Sequence, residues 1–278
     1  MVYEEIAPPN DLASIIGCFW FLEHDYRAAF HAHEHLWATV HAELIFSFGA
    51  RYYLKTGTGK RELPANLFIG PCQKSLVLYS KGFTGFIAVR FKPWGVFPFS
   101  NKPITELTDN IAPADEVFGD EINCLIRRME SQERARKIER MRQHFQEKFS
   151  TTSKLKTASA PMGEKINSAN GMIKISELAK HFQIDSRQLE RVFRTETGVT
   201  AKMFARIVRF NRAKRMIESD PNIDLSRVTY ETGYSDQAHF SKNFRELFDY
   251  SPADFKRRVK RFTQEAAGQV DVEFLQDH

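Results

Sequence analysis

Residues 233–244 read Gly-Tyr-Ser-Asp-Gln-Ala-His-Phe-Ser-Lys-Asn-Phe, and the spacing of this stretch separates two jobs. Phe240 and Phe244 stand four apart, so a helix would bury both on one face and leave Gln237, His239, Ser241, Lys242 and Asn243 outward. Amide, imidazole, hydroxyl and ammonium groups are the donors and acceptors that match base edges in a nucleic-acid groove. Gly233 supplies a tight turn and Ser235 or Asp236 a cap, the layout of a helix-turn-helix.

A second group of reactive side chains lies near the start of the chain. His31, His33 and His35 alternate, so on a strand they share one face, with Glu34 opposite and His41 and Glu43 following. Such a face suits a divalent metal or an anionic ligand. Cupin-like barrels pair His-x-His with a nearby acid, but none stands three or four residues after either pair here, and a polar strand edge is the weightier reading. No metal site or cofactor is therefore assigned, and these three histidines remain the candidates. No glycine-rich phosphate loop or nucleophile elbow is present, so the residues point to recognition rather than catalysis.

The elements that must position these groups divide the chain. Of its 278 residues, 1–150 carry 18 Lys+Arg and 18 Asp+Glu, 151–261 carry 22 and 13, and 262–278 carry four acids and no Lys or Arg. A basic region beside a neutral one suggests a polyanionic partner for the former. Cys18, Cys72 and Cys124 are too few and too scattered for a disulfide framework or a thiolate zinc site, which favours a reducing cytoplasm. The start lacks a leader pattern, and the apolar run 15–22 falls far short of the roughly 18 residues that span a bilayer, so no membrane partner is expected.

From 14 to 99, aromatic and β-branched runs at 15–21, 38–48, 52–55, 67–69, 75–79 and 83–91 alternate with turn signals such as Thr56-Gly-Thr-Gly-Lys60. This predicts a β-rich barrel or sandwich. Apolar spacing then changes to a helical period over 114–129 and 132–149, predicting two helices that pack on that domain or pair with a second copy. Residues 151–163 read as a linker, 164–261 as an all-α domain and 262–278 as an acidic tail whose end, 270–278, has the alternation of a short strand.

Two helix-turn-helix patterns follow in series. The first has a helix over 175–182, a turn at Gln183-Ile184 and an Asp185-to-Gln188 capping pattern; the second has a helix over 225–232 before the stretch described above. They superpose at an offset of 51 residues: Leu189 with Phe240, Phe193 with Phe244, Thr200 with Ser251, Phe204 with Phe255. Between them, 201–218 predicts a helix of roughly 27 Å, a spacer that holds two recognition helices about one turn of B-DNA apart.

The segment 175–258 resembles the DNA-binding domain of AraC/XylS-type bacterial transcription regulators, on the strength of 233–244, Ser251-Pro252 and the Arg206-x-x-Arg209-x-x-Arg212 run. The β-rich half resembles the sensor domains of that family without a specific motif. The resemblance implies a two-domain α+β chain: a cupin-like barrel or sandwich for sensing or dimerisation over 1–150, then two helix-turn-helix motifs joined by a linker helix. It implies base reading by Arg187, Glu190 and Arg191 in the first motif and by Gln237, His239 and Lys242 in the second. Arg187, Arg191 and Lys242 suit guanine, Gln237 adenine and Glu190 cytosine. Ser186, Asp236 and Asn243 fit caps or phosphate contacts, and Arg206, Arg209, Lys256, Arg257 and Arg258 fit phosphate contacts.

The implied partners are double-stranded DNA, a small-molecule effector, a second copy of the chain and RNA polymerase. A metal-dependent or catalytic amino-terminal module fused to a DNA reader is the alternative. Two departures from the family pattern bear on the second motif. Val228-Thr229-Tyr230 replaces Ile-Ala-Leu, which predicts a less comfortable helix contact at Thr229, and Asp249 replaces the glycine that ends the recognition helix, a position where aspartate tolerates the left-handed conformation.

Overall fold

The computed structural model describes residues 2–25, 33–151 and 157–265. Its amino-terminal half contains β1 (Val2–Ile6), β2 (Ile16–Asp25), β3 (His33–Leu36), β4 (Ala42–Gly49), β5 (Tyr52–Thr56), β6 (Gly59–Glu62), β7 (Asn66–Ile69), β8 (Leu76–Ser80), β9 (Phe83–Phe91), α1 (Ile104–Leu107) and β10 (Ile111–Pro113). Among the described residues these strands make a six-stranded antiparallel sheet in the order β1-β2-β9-β4-β7-β10 and a four-stranded one in the order β3-β8-β5-β6. The two sheets share no ladder, so the domain is a sandwich and not the closed barrel that the sequence also allowed.

Alternation along the central strands decides what covers each face. In β2, Cys18, Trp20 and Leu22 enter the core between the sheets, while Phe19 and Phe21 point to the opposite side. β4 and β9 do the same, which is why these strands read as continuous apolar runs with no solvent face. The second face is covered by α2 (Ala114–Phe118), α3 (Glu121–Met129) and α4 (Arg134–Thr151). The stretch 114–129 is thus two helices rather than one, parted at Gly119 with φ 80°. Phe145 of α4 meets Phe91 of β9 with ring centroids 5.4 Å apart, so the helices pack on their own domain.

One ionic group interrupts the apolar sandwich. Glu43 and Arg90 are opposite residues of β4 and β9, and the Arg90 Nε lies 2.8 Å from Glu43 with Nη1 3.2 Å from Glu5 of β1. Burial works against the charge on Arg90, but chiefly the Glu43 carboxylate outweighs it and holds the guanidinium more strongly protonated than usual. The sequence gives no warning of this, since a lone Glu and a lone Arg in apolar strands declare no partnership.

The helical half contains α5 (Ser159–Ser168), α6 (Ile175–His181), α7 (Ser186–Thr197), α8 (Ala201–Ser219), α9 (Leu225–Glu231), α10 (Gln237–Phe248) and α11 (Pro252–Glu265). α5 begins within the stretch 151–163 expected as a linker, and its Met162 and Ile166 join the core; small polar residues concealed its periodicity. Around α8 the aromatic anchors converge: Phe210 stacks on Phe240 at 6.0 Å and 11°, and Phe193 meets Phe204 at 5.4 Å. Trp37, Ala38, Val40 and Trp94 of the amino-terminal half belong to the same core, so the two halves are packed together. The strand expected over 270–278 lies outside the described residues.

Candidate nucleic-acid interface

Each recognition helix begins with an aspartate cap. The Asp185 carboxylate accepts the Gln188 amide at 2.8 Å, and Asp236 accepts that of His239 at 2.7 Å. That backbone hydrogen bond is the main reason the Asp236 carboxyl sits below its usual pKa. Asp236 is thereby the cap, and Ser235 is not. Ser186 is the first helical residue after its own cap and is exposed.

Caps in register put the exposed faces in register. The 51-residue offset matches Ser186 with Gln237, Gln188 with His239 and Arg191 with Lys242, and all six are exposed, while the matched anchors Leu189 and Phe240 are buried. Arg187, Arg191 and Lys242 make no hydrogen bond or ion pair among the described residues, so their donors face solvent. His239 lies edge-on to Tyr234 at 5.2 Å, and the Asn243 side chain donates to the His239 carbonyl at 2.9 Å. Sequence reasoning passed over Gln188, which the repeat offset alone would have found through its counterpart His239.

Glu190, expected to read a base, is half-buried, and its Oε2 accepts the Ala201 amide at 2.9 Å in the first turn of α8, beside the Thr200 cap. Glu196, one turn and a half further on, receives Ala158 and Ser159 amides in the same way at the start of α5.

Arg206 and Arg209, expected as phosphate contacts, have partners within the helical half. Arg206 reaches the Asn243 carbonyl at 3.4 Å and pairs with Glu246 on α10. Arg209 donates to the Gly171 carbonyl at 2.7 Å and lies over the Tyr234 ring at 5.6 Å, and Arg212 donates to the Glu231 carbonyl at the end of α9 at 2.8 Å. Spaced by three, the cations fall along one side of α8 and tie it to α10, to the turn after α5 and to α9. Arg209→Ala is expected to lower stability by about 1–2 kcal/mol in thermal unfolding while leaving the salt dependence of DNA binding unchanged; a shallower salt slope would restore the phosphate role. Lys256, Arg257 and Arg258 likewise have internal partners: the Ile223 and Asn222 carbonyls, Asp254 and the Tyr250 hydroxyl.

The two departures in the second motif are accommodated. Thr229 is buried, and its hydroxyl donates to the Leu225 carbonyl at 2.7 Å, so no polar group is stranded at the helix contact. Asp249 adopts φ 59°, the left-handed C-cap that Gly198 provides at φ 77° in the first motif.

The other candidate site is only partly within view. His31 lies outside the described residues, as does the His33 side chain; His35 is buried, stacked on Trp37 at 5.0 Å with its Nε2 3.3 Å from the Tyr250 hydroxyl. Among the described residues no three His, Cys, Asp or Glu side chains come together as a metal site. Cys18 and Cys72 are unbridged and buried, and burial pushes both thiols up to about 12. Beside Trp37 a cavity of about 30 Å³ reaches His41, Glu43, Cys72 and Arg90, room for a few waters. No helix among the described residues is long and apolar enough to cross a membrane.

Residues 178–258 match the family model described as a helix-turn-helix domain, and residues 4–113 match one described as a domain of unknown function (DUF6597). The Msm operon regulatory protein of Streptococcus mutans is 26% identical over 88 residues, 32% of this chain and 31% of that protein. The HTH-type transcriptional activator RhaS of Escherichia coli is 30% identical over 87 residues, 31% of each. The chain thus spans about 31% of the length of these curated relatives. Among solved structures, ToxT from Vibrio cholerae is similar at a TM-score of 0.49 and 9% identity, covering 85% of this chain and 98% of that one.

Proposed function

We propose that this chain, whose residues 178–258 are an AraC-type helix-turn-helix domain, is a sequence-specific DNA-binding transcription regulator of the bacterial cytoplasm. One observation carries the reading: two capped helices present register-equivalent, unpartnered donors, Arg191 and Lys242, on either side of a spacer helix. At 19 residues and 1.5 Å each, α8 is about 28 Å long, close to one turn of B-DNA.

Arg187, Arg191 and Lys242 donate to guanine, Gln237 pairs with adenine, and Gln188 and His239 are the matched pair beside them. Ser186, at the exposed start of α7, contacts phosphate. Asp236 and Asn243 support the helix that presents these groups, as Glu190 supports α8. No residue set is assigned to catalysis or to a cofactor. The amino-terminal domain modulates DNA binding through a small effector or a second copy of the chain, with RNA polymerase as the partner on DNA.

Selection of bound sites from random DNA tests the reading. The expected result is one enriched sequence with two half-sites about 10–10.5 bp apart, bound in the nanomolar range with affinity falling steeply in salt. Recovery of unselected sequence after repeated rounds would remove the proposal.

A further inference from the structure

Beside the packing of Trp94 and Lys92 near α5, the amino-terminal domain touches the helical domain at two places that the repeat makes equivalent. Gly198 and Asp249 are 51 residues apart, and each is the left-handed C-cap of its recognition helix. At the first, the Thr108 hydroxyl lies 3.1 Å from the Gly198 carbonyl and packs so close that a side-chain carbon on Gly198 would come within 2.4 Å of it. At the second, the Ser75 amide donates to the Leu247 carbonyl at 3.1 Å and the Ser75 hydroxyl to the Asp249 carboxylate. Trp37 extends that contact, with its ring 5.4 Å from Phe248 and 5.7 Å from Phe255.

The loops that make these contacts are joined to each other. Gly70 donates to the Asn110 carbonyl at 3.1 Å, and the Asp109 amide to Pro71 at 2.9 Å. The Asp109 carboxylate receives the Gln73 amide at 2.6 Å and the Gln73 side chain at 2.9 Å. Asp109 holds this position at φ 55°, a backbone conformation that aspartate and asparagine tolerate better than most residues. Residues 70–75 and 104–110 therefore form one bracket with two feet, one on each recognition helix.

We infer that Asp109 is a positioning residue for DNA specificity: by joining the two loops it makes the amino-terminal domain a gauge that fixes the separation of the recognition helices, and so the half-site spacing. Both feet stand on helix C-termini, whereas base reading uses the N-terminal residues of a recognition helix, so the bracket leaves the reading surface open. The cavity beside Trp37 includes Cys72, whose amide and carbonyl pair with Thr39 at the base of the Ser75 foot. The inference rests on the DNA-reading proposal for its consequence but not for its geometry.

The test uses the full chain carrying Cys124→Ser, with spin labels at Arg194→Cys and Arg245→Cys, exposed residues at equivalent positions of α7 and α10. Asp109→Gly removes the carboxylate without straining the backbone, and Asp109→Asn keeps an acceptor for Gln73. The label-to-label distance distribution is expected to be narrow in the parent and in Asp109→Asn and to broaden at least about twofold in Asp109→Gly, because the carboxylate bridge from Asp109 to the Gln73 loop is lost. In site selection the Asp109→Gly chain should keep its half-site sequences but accept more than one spacing. An unchanged distance distribution in Asp109→Gly overturns the bracket, as does a broadening that Asp109→Asn shares in full. Should no chain enrich any DNA sequence, the regulator proposal fails while the distance measurement still decides the bracket.

Discussion

Alanine at both Arg191 and Lys242 is expected to weaken binding to the selected site by at least about 30-fold, because two lost base contacts remove roughly 2–6 kcal/mol of discrimination. The two residues occupy the same position of the repeat, lie on exposed helix faces and make no ion pair among the described residues, so their removal strands no buried partner. Folding should therefore be untouched, and the unfolding temperature is the control. Mobility-shift titrations with the selected site and with a scrambled duplex separate the two kinds of contact. A base contact shows as a fall in the ratio of the two affinities, whereas a phosphate contact lowers both together and reduces the salt slope by about one per residue. A double variant that retained the full ratio would end the base-reading assignment of this pair. The single variants should show whether the two motifs contribute equally, and the first, with both Arg187 and Arg191 free, is expected to carry the larger share.

Arg90→Met should destabilise the chain by about 3–5 kcal/mol, the usual result of leaving one half of a buried ion pair alone. Glu43 is nearly enclosed and loses its partner outright, while Glu5 is exposed enough to turn towards water. The double variant Arg90→Met/Glu43→Leu removes the stranded charge and should recover most of the loss, since two well-packed apolar chains of similar volume replace two desolvated ions. Urea unfolding read by tryptophan fluorescence measures both, and Trp20 lies in the same sandwich core as the pair. Equal losses in the single and the double variant would mean that Arg90 acts by filling volume and not by charge.

The helical half was legible because its information is local. Caps at Asp185 and Asp236, apolar residues three and four apart and a 51-residue repeat are all visible within a few turns of chain. The roles of its charged residues were not. Arg206 and Arg209 look like phosphate contacts in the sequence because a cation on a helix face reads the same whether it meets a phosphate or the carbonyl of a neighbouring helix. Glu190 carries the same ambiguity, and only the fold brings the Ala201 amide to it. In the amino-terminal half, the missed strands are the ones that lack a buried face or regular length: β6 is fully exposed, β1 carries Glu4 and Glu5, and β10 is three residues ending in proline. Whether the sheets close into a barrel depends on pairing between edges far apart in the chain, which no local pattern encodes.

The carboxylate of Glu190 bears on engineering. Its counterpart in the second motif is Ser241, which is too short to make the same bond to a helix terminus. The two recognition helices are therefore not interchangeable cassettes: moving α10 whole into the place of α7 would leave the Thr200 cap of the spacer helix in place but take away the acceptor of its Ala201 amide. Retargeting the protein to a new operator calls for exchange of the outward residues alone, on a scaffold whose inward acids stay where they are.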